Sequence, residues 1–335
     1  MLRKFLFAAV LITAGMLSFY LRPDETFSRS GMAMNTFIRM SIKAHNDYSL
    51  NDAFTLLNSL DYSLSMFNPS SDVSRINSLA GIHPVHVPDY ALNVIRKAAE
   101  IHDLTQGTFN PLIGSLTKLW KINRNDGFIP SQESIDIAVN FTDINNLVIL
   151  DNSVYLKHKE CVLDLGGIAK GFAGDLIAQL FRTNGITSAL IDLGGNICVI
   201  GKNFDGNNWK IGIRDPFEPL SNPALVILTH DNNIITSGNY ERFKLADGKK
   251  FSHFFDPKTG MSIMNDLLSV TVIHHNGALA DGLATAFMAM GFNKARDFAQ
   301  LLNVNTILIR NDKSIHASEN LKNSVSANKF HIEFF

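Results

Sequence analysis

Four short segments of this chain carry residue types able to do chemistry. The first is CVLDLGGIAKGFAGD, residues 161–175. An apolar, strand-like run reaches Asp164, two glycines follow, and Lys170 leads into a helical pattern. There Ile168, Phe172, Leu176, Ile177, Leu180 and Phe181 share one face. Free amides at such a helix start, together with the positive end of its dipole, form a seat for an anion. Glycines let the backbone approach a phosphate, and a lysine adds a cation. The spacing is not that of a P-loop. The same residues also suit a tight turn with a solvated lysine, and the segment alone leaves both open.

The second segment, SHFFDPKTG (252–260), joins a short strand to an Asp-Pro turn that exposes His253 and Asp256. Histidine suits general-base work near neutral pH. Alternatively His253 is a half-buried strand residue and Asp256 only nucleates the turn. The third, ADGLATA (280–286), opens an apolar helix with Asp281 and Thr285 at i and i+4, on one face. A carboxylate and a hydroxyl are hard oxygen ligands, suited to Mg²⁺ completed by water and phosphate. Otherwise Asp281 complements the helix dipole and Thr285 bonds back to the helix. The fourth, SGNYER (237–242), reads as a turn with an exposed Glu–Arg pair. His274-His275 looks like a metal pair, but neighbours in a strand face opposite sides.

The elements that must position these groups are read from periodicity. Helices are expected at Leu50–Leu64, Tyr90–Leu104, Ser131–Val139, Ile168–Phe181 and Ala280–Met290. Ser30–Ser41 reads as a turn followed by a strand, and Ser65–Asn77 as a loop. Strands are expected at 147–150, 161–165, 188–193, 209–213, 224–229, 234–236, 267–273 and 306–309. Asp-Leu-Gly-Gly recurs at 192–195, where continuation into Asn-Ile-Cys-Val-Ile suggests a bulge. Helices and strands mix without strict alternation, which indicates an α+β fold.

Thirty basic and thirty-one acidic residues among 335 leave a formal charge of −1, which excludes a global field for nucleic acid or anionic lipid. The two cysteines, Cys161 and Cys198, lack metal-site spacing; they are core residues or, in an oxidising compartment, a disulfide. Arg3 and Lys4 precede an apolar run from Phe5 to Leu21, which Arg22-Pro23-Asp24-Glu25 breaks. Residues 1–21 therefore read as an export signal, cleaved or kept as an anchor, with the body outside the cytoplasmic membrane.

Together DLGGIAKGFAGD (164–175), SGNYERF (237–243), SHFFDPKTG (252–260) and ADGLAT (280–285), in this order, resemble the ApbE family of FAD:protein FMN transferases. SMFNPSSDVSRIN (65–77), TQGTFNPLIGSL (105–116) and ALIDLGGNI (189–197) support the resemblance. It implies a T-fold-related, two-lobed single domain of mixed sheets with packed helices over residues 30–335. Asp164 and Lys170 would contact FAD, and Met34, Phe67, Thr108, Phe109, Asn110 and Phe255 would line its flavin nucleotide pocket. The Gly167 carbonyl, Asp281 and Thr285 would hold Mg²⁺, and His253 would be the catalytic histidine.

The implied reaction is Mg²⁺-dependent transfer of FMN from FAD to a threonine hydroxyl of an acceptor protein, with release of AMP. Acceptors would belong to membrane-associated electron-transfer complexes, on the periplasmic side. Two positions depart from the family pattern: Met34-Asn35-Thr36 replaces Met-Gly-Thr, and Phe109-Asn110-Pro111 replaces Phe-Asp-Pro. Asparagine tolerates left-handed backbone at position 35. At position 110 it keeps an acceptor oxygen but loses the charge. Two other functions stay open: cleavage of FAD by water, and an exported flavin-binding protein without turnover.

Overall fold

The computed structural model of this chain describes residues 24–335, apart from 123, 125, 219–221, 241 and 328. The expected leader at 1–21 lies outside the described residues. Among those described, no helix is long and apolar enough to cross a membrane.

The strands are β1 (Glu25–Ala33), β2 (Thr36–Ala44), β3 (Val85–His86), β4 (Leu147–Ile149), β5 (Ser153–Leu156), β6 (Ala189–Leu193), β7 (Asn196–Ile200), β8 (Trp209–Ile213), β9 (Leu225–Thr229), β10 (Asn233–Gly238), β11 (Phe243–Ala246), β12 (Lys249–Ser252), β13 (Leu267–His274), β14 (Asn305–Arg310), β15 (Ile315–Ala317), β16 (Val325–Ser326) and β17 (Ile332–Phe334). The helices are α1 (Tyr48–Leu64), α2 (Asp72–Ser78), α3 (Asp89–Leu104), α4 (Gly114–Trp120), α5 (Gln132–Val139), α6 (Ala169–Thr183), α7 (Gly277–Met290) and α8 (Phe292–Leu301).

A nine-stranded sheet, ordered β1-β2-β6-β7-β10-β13-β14-β15-β17, is the frame. Its pairs are antiparallel except β15 with β17. Ile38, Met40 and Ile42 alternate along β2 onto the face covered by α1 and α6, while Phe37 and Arg39 take the other face. On that other face, β8 and β9 pack through Ile211 and Ile227 into a cluster that takes in Ile273 and Ile307 and reaches Ile332 and Phe334 of β17. A separate apolar cluster gathers α4, α5 and the β11–β12 hairpin around the buried Trp120. Its indole stacks on Phe255 at 5.9 Å and donates to the Gly260 carbonyl at 2.9 Å. The α+β expectation holds.

Several local expectations need correction. Ser30–Ser41 is not a turn then a strand: β1 and β2 form one long hairpin turning at Met34-Asn35. Both turn residues have positive φ, 49° and 57°, as a two-residue turn matching the strand twist demands. The 65–77 loop ends in α2, whose N-cap Ser71 accepts the Ser74 amide at 2.9 Å. Residues 161–165 do not join a sheet. Asn77 supplies what a ladder would: its amide accepts the Leu163 N–H at 2.7 Å and donates to the Leu163 carbonyl at 3.0 Å. Gly194-Gly195 is a hairpin turn between β6 and β7, with φ of 67° and 93°, rather than a bulge. Cys161 and Cys198 are buried free thiols, and burial pushes Cys198 up to about 12. His274 and His275 do not diverge; His275 lies beyond β13, free of its alternation, and the two rings sit 4.0 Å apart.

The tightest contact joins α6 to α7. Asp175 of α6 accepts the first two amides of α7, from Gly277 at 2.7 Å and Ala278 at 2.9 Å. Burial pushes its carboxyl up, and these donors pull it back. Asp281 of α7 returns the contact by accepting the Gly171 amide in the first turn of α6 at 2.8 Å. Each helix start is thus capped by a carboxylate of the other. The crossing needs glycine, because a Cβ on Gly171 would lie 2.1 Å from the Gly277 carbonyl oxygen. Gly171→Ala should therefore destabilise the chain by about 1–3 kcal/mol or more. The check is a lower denaturant midpoint with an unchanged slope.

Candidate active site

Between the nine-stranded sheet and the Trp120 cluster lies a cavity of about 620 Å³. That is a size suited to a cofactor-sized ligand. All twelve residues to which the family resemblance gives a role line it: Met34, Phe67, Thr108, Phe109, Asn110, Asp164, Gly167, Lys170, His253, Phe255, Asp281 and Thr285.

The 164–170 turn forms one wall. Asp164 accepts the Gly166 amide at 2.9 Å and the Thr117 hydroxyl at 3.0 Å. The Ile168 and Ala169 amides both go to the Leu165 carbonyl, and the Gly171 amide goes to Asp281. The expected anion seat is thus narrower than four free amides. Facing it, the Thr285 hydroxyl donates to the Gly167 carbonyl at 3.3 Å. A Cβ on Gly167 would come within 3.0 Å of that hydroxyl, so glycine allows the approach. Asp281 is 3% exposed and also accepts from Asn196 Nδ2 at 3.3 Å. The helix begins at Gly277, so Asp281 stands in its second turn rather than its first.

Carbonyl, hydroxyl and carboxylate make an all-oxygen donor set, and it fits a hard divalent ion that keeps water or phosphate as further ligands. Among the described residues no cluster of three His, Cys, Asp or Glu offers a competing site.

His253 is half-buried, just past β12. Its Nδ1 lies 3.0 Å from the Arg242 carbonyl, which only accepts; Nδ1 therefore carries the proton and Nε2 the lone pair. Desolvation holds its pKa down at about 4, and the charges of Arg242 and Lys170 push the same way. The ring is neutral at pH 7. Asp256 does not line the cavity; it accepts the Lys258 amide at 2.9 Å and the Thr259 hydroxyl at 3.1 Å, as a turn former. Ser237, Gly238 and Arg242 of the fourth segment border the cavity, which a solvated loop did not foretell.

The flavin-wall candidates differ in kind. Phe109 and Phe255 are buried, Met34 and Thr108 half-buried, and Phe67 exposed. Asn110 is buried and anchored at both ends of its amide. Its Oδ1 accepts the Leu112 amide and its Nδ2 donates to the Thr142 carbonyl, both at 2.8 Å.

Sequence patterns missed several lining or supporting residues. Asp61, on α1, accepts the Met34 amide at 2.8 Å and anchors the hairpin turn. Lys244 is 1% exposed; its ammonium donates to Asp126 at 2.9 Å, Phe128 O at 3.1 Å and Trp120 O at 3.2 Å. That clasp holds the segment carrying Lys121, Ile122 and Arg124, which line the cavity. A charged residue at alternate positions of a short strand gives no hint of this. Five cationic side chains, Lys118, Lys121, Arg124, Lys170 and Arg242, face three carboxylates, Asp61, Asp164 and Asp281. The lining is net positive and suits an anion.

The family model described as the ApbE family matches residues 34–308. A relative in Treponema pallidum named FAD:protein FMN transferase is 32% identical over 323 residues, covering 89% of this chain and 88% of that one. One of the same name in Vibrio cholerae is 31% identical over 297 residues, covering 86% and 88%. Among solved structures, the flavin transferase ApbE from Vibrio cholerae superposes with a TM-score of 0.81 at 30% identity, covering 90% of this chain and 100% of that one. The ApbE protein of Thermotoga maritima gives 0.82 at 26% identity, covering 90% and 99%.

Asn110→Asp removes the donor to Thr142 and sets a carboxylate against a carbonyl. It should cost about 1–3 kcal/mol, measured by equilibrium unfolding.

Proposed function

Because this chain belongs to the ApbE family, we propose that it is a transferase that moves the FMN half of FAD onto a hydroxyl of an acceptor protein and releases AMP. The observation that carries this is the meeting of the Gly167 carbonyl, the Thr285 hydroxyl and Asp281 in one cationic cavity with a neutral histidine.

Phe109, Phe255, Met34, Thr108 and Phe67 give the isoalloxazine and its ribityl chain apolar surface and edges. Lys170 and Arg242 offset the charge of the diphosphate. Asn110 would contact FAD from this wall through the remaining N–H and lone pair of an amide held in place by Thr142 and Leu112. Asp164 is braced by Thr117 and Gly166 for contact with FAD. Gly167, Asp281 and Thr285 would hold Mg²⁺, which supplies charge neutralisation and orientation of the phosphate oxygens.

The acceptor is a threonine. Its oxygen attacks the phosphorus on the FMN side as His253 Nε2 takes the hydroxyl proton. The bond to the bridging oxygen breaks, and AMP leaves with that electron pair. The product is an FMN phosphoester on the acceptor. An arriving diphosphate brings negative charge beside a ring now surrounded by cations, which raises its proton affinity from the free-state value of about 4. The apolar stretch after Arg3 and Lys4 supports action outside the cytoplasm, where the acceptors would be membrane-associated electron-transfer proteins.

Mass spectrometry of a threonine-bearing acceptor incubated with the protein, FAD and Mg²⁺ tests the reaction. Covalent FMN with matching AMP is expected. Asp281→Asn keeps an acceptor for the Gly171 amide but drops the charge. It should abolish transfer and remove the Mg²⁺ dependence of FAD affinity while the protein stays folded. The pH profile is set by the depressed His253. Its base form persists as pH falls, so kcat/KM for FAD should stay level through 6.5 and drop only towards about 4.

A further inference from the structure

Two buried asparagines stand on the sheet beneath the α6–α7 crossing. Asn196 opens β7 and Asn233 opens β10, and they are 4% and 3% exposed. Asn233 lies directly opposite Cys198 in the antiparallel pair. Cys198 is two residues along β7 from Asn196, so both asparagines face the same side of the sheet. That side is the one covered by α6, since a Cβ on Gly174 would meet both Asn233 and Cys198. A carboxylate only accepts, so each asparagine turns the amino end of its amide to it. Asn233 Nδ2 donates to Asp175 Oδ1 at 3.2 Å, and Asn196 Nδ2 donates to Asp281 Oδ1 at 3.3 Å. One sheet face thus supports both carboxylates that the helices exchange.

The two supports differ in what lies beyond them. Asp175 does not line the cavity, and its other bonds go to the Gly277 and Ala278 amides. Asp281 does line it, as the carboxylate of the oxygen set formed with Gly167 and Thr285. Its two oxygens are pinned from different elements, Oδ2 by the Gly171 amide of α6 at 2.8 Å and Oδ1 by Asn196 of β7. A carboxylate held at both oxygens has a fixed plane, and each oxygen keeps a lone pair for a cation. Asn196 itself does not line the cavity. Its backbone is set by the β6–β7 turn, where it pairs with Leu193 and Asp192 accepts the Gly195 amide at 2.8 Å.

We infer that Asn196 is a positioning residue for the divalent cation: it stands behind Asp281 and fixes the rotation of the carboxylate that would bind the ion. This rests on the proposed Mg²⁺ site. Partners behind a metal ligand orient it before the metal arrives, and the ion is spared the cost of ordering it. Without the Asn196 amide only the Gly171 bond remains, and the carboxylate is free to turn about it.

The test titrates Mn²⁺, a paramagnetic stand-in for Mg²⁺, into the full chain loaded with FAD, without acceptor, and reads the free ion by electron paramagnetic resonance. Asn196→Leu keeps the shape of the side chain and removes the donor. Its dissociation constant for Mn²⁺ should rise about ten- to a hundredfold. Asn233→Leu removes the matching donor to Asp175 and serves as the comparison. Its unfolding midpoint should also fall, while its Mn²⁺ affinity stays at the wild-type value. If Asn196→Leu does not fold, Asn196→Ser takes its place; the hydroxyl stops short of the amide position, and the same loss is expected. Wild-type Mn²⁺ affinity in the folded Asn196 variant overturns the assignment. So does an equal loss in Asn233→Leu, which would trace the effect to a loosened helix crossing. Failure of the wild type to bind Mn²⁺ would overturn the metal site itself, and this inference with it.

Discussion

The exchange of carboxylates between α6 and α7 is the constraint on which the site depends. Asp175 seats the start of α7, and Asp281 seats the start of α6. The two helices cross at Gly171 and Gly277, where no side chain has room. This crossing brings Gly167, at the mouth of one helix, against Thr285, two turns into the other. Residues more than a hundred positions apart become neighbours because two backbones touch. Asp281 is at once a structural cap and a wall of the cavity, so shape and charge at this point are set together.

Electrostatics derive from the same packing. Carboxylates at the site are braced by donors: Asp164 by Gly166 and Thr117, Asp281 by Gly171 and Asn196. Desolvation, with the charges of Arg242 and Lys170 behind it, depresses the His253 pKa. A pocket that braces its acids and is lined by more cations than carboxylates is prepared for a negatively charged guest before one arrives.

Much of this was legible in the chain. The helix faces, the Gly-Gly-Lys turn and the Asp281/Thr285 spacing are local patterns, and local periodicity reports them well. What escaped was non-local. The 161–165 run looks like a strand because it is apolar and extended, yet its partner is one side chain, Asn77, and not a ladder. The two Asp-Leu-Gly-Gly copies diverge, one entering a helix and one closing a hairpin, because Ile-Ala-Lys succeeds the first and a strand-forming Asn-Ile-Cys the second. At position 110 the bond from the amide to the Thr142 carbonyl, 32 residues away, is one that no local pattern announces. Lys244 belongs to a strand whose sequence says surface, while its three partners lie beyond 100 positions upstream.

The bond between His253 and the Arg242 carbonyl ties two tasks to one residue. The main chain of Arg242 sets the tautomer of the imidazole, and its side chain borders the same cavity. A guest that tugs on the guanidinium shifts the peptide group from which the imidazole hangs. Grip and proton acceptance are then mechanically geared, and substitutions that retune one will retune the other.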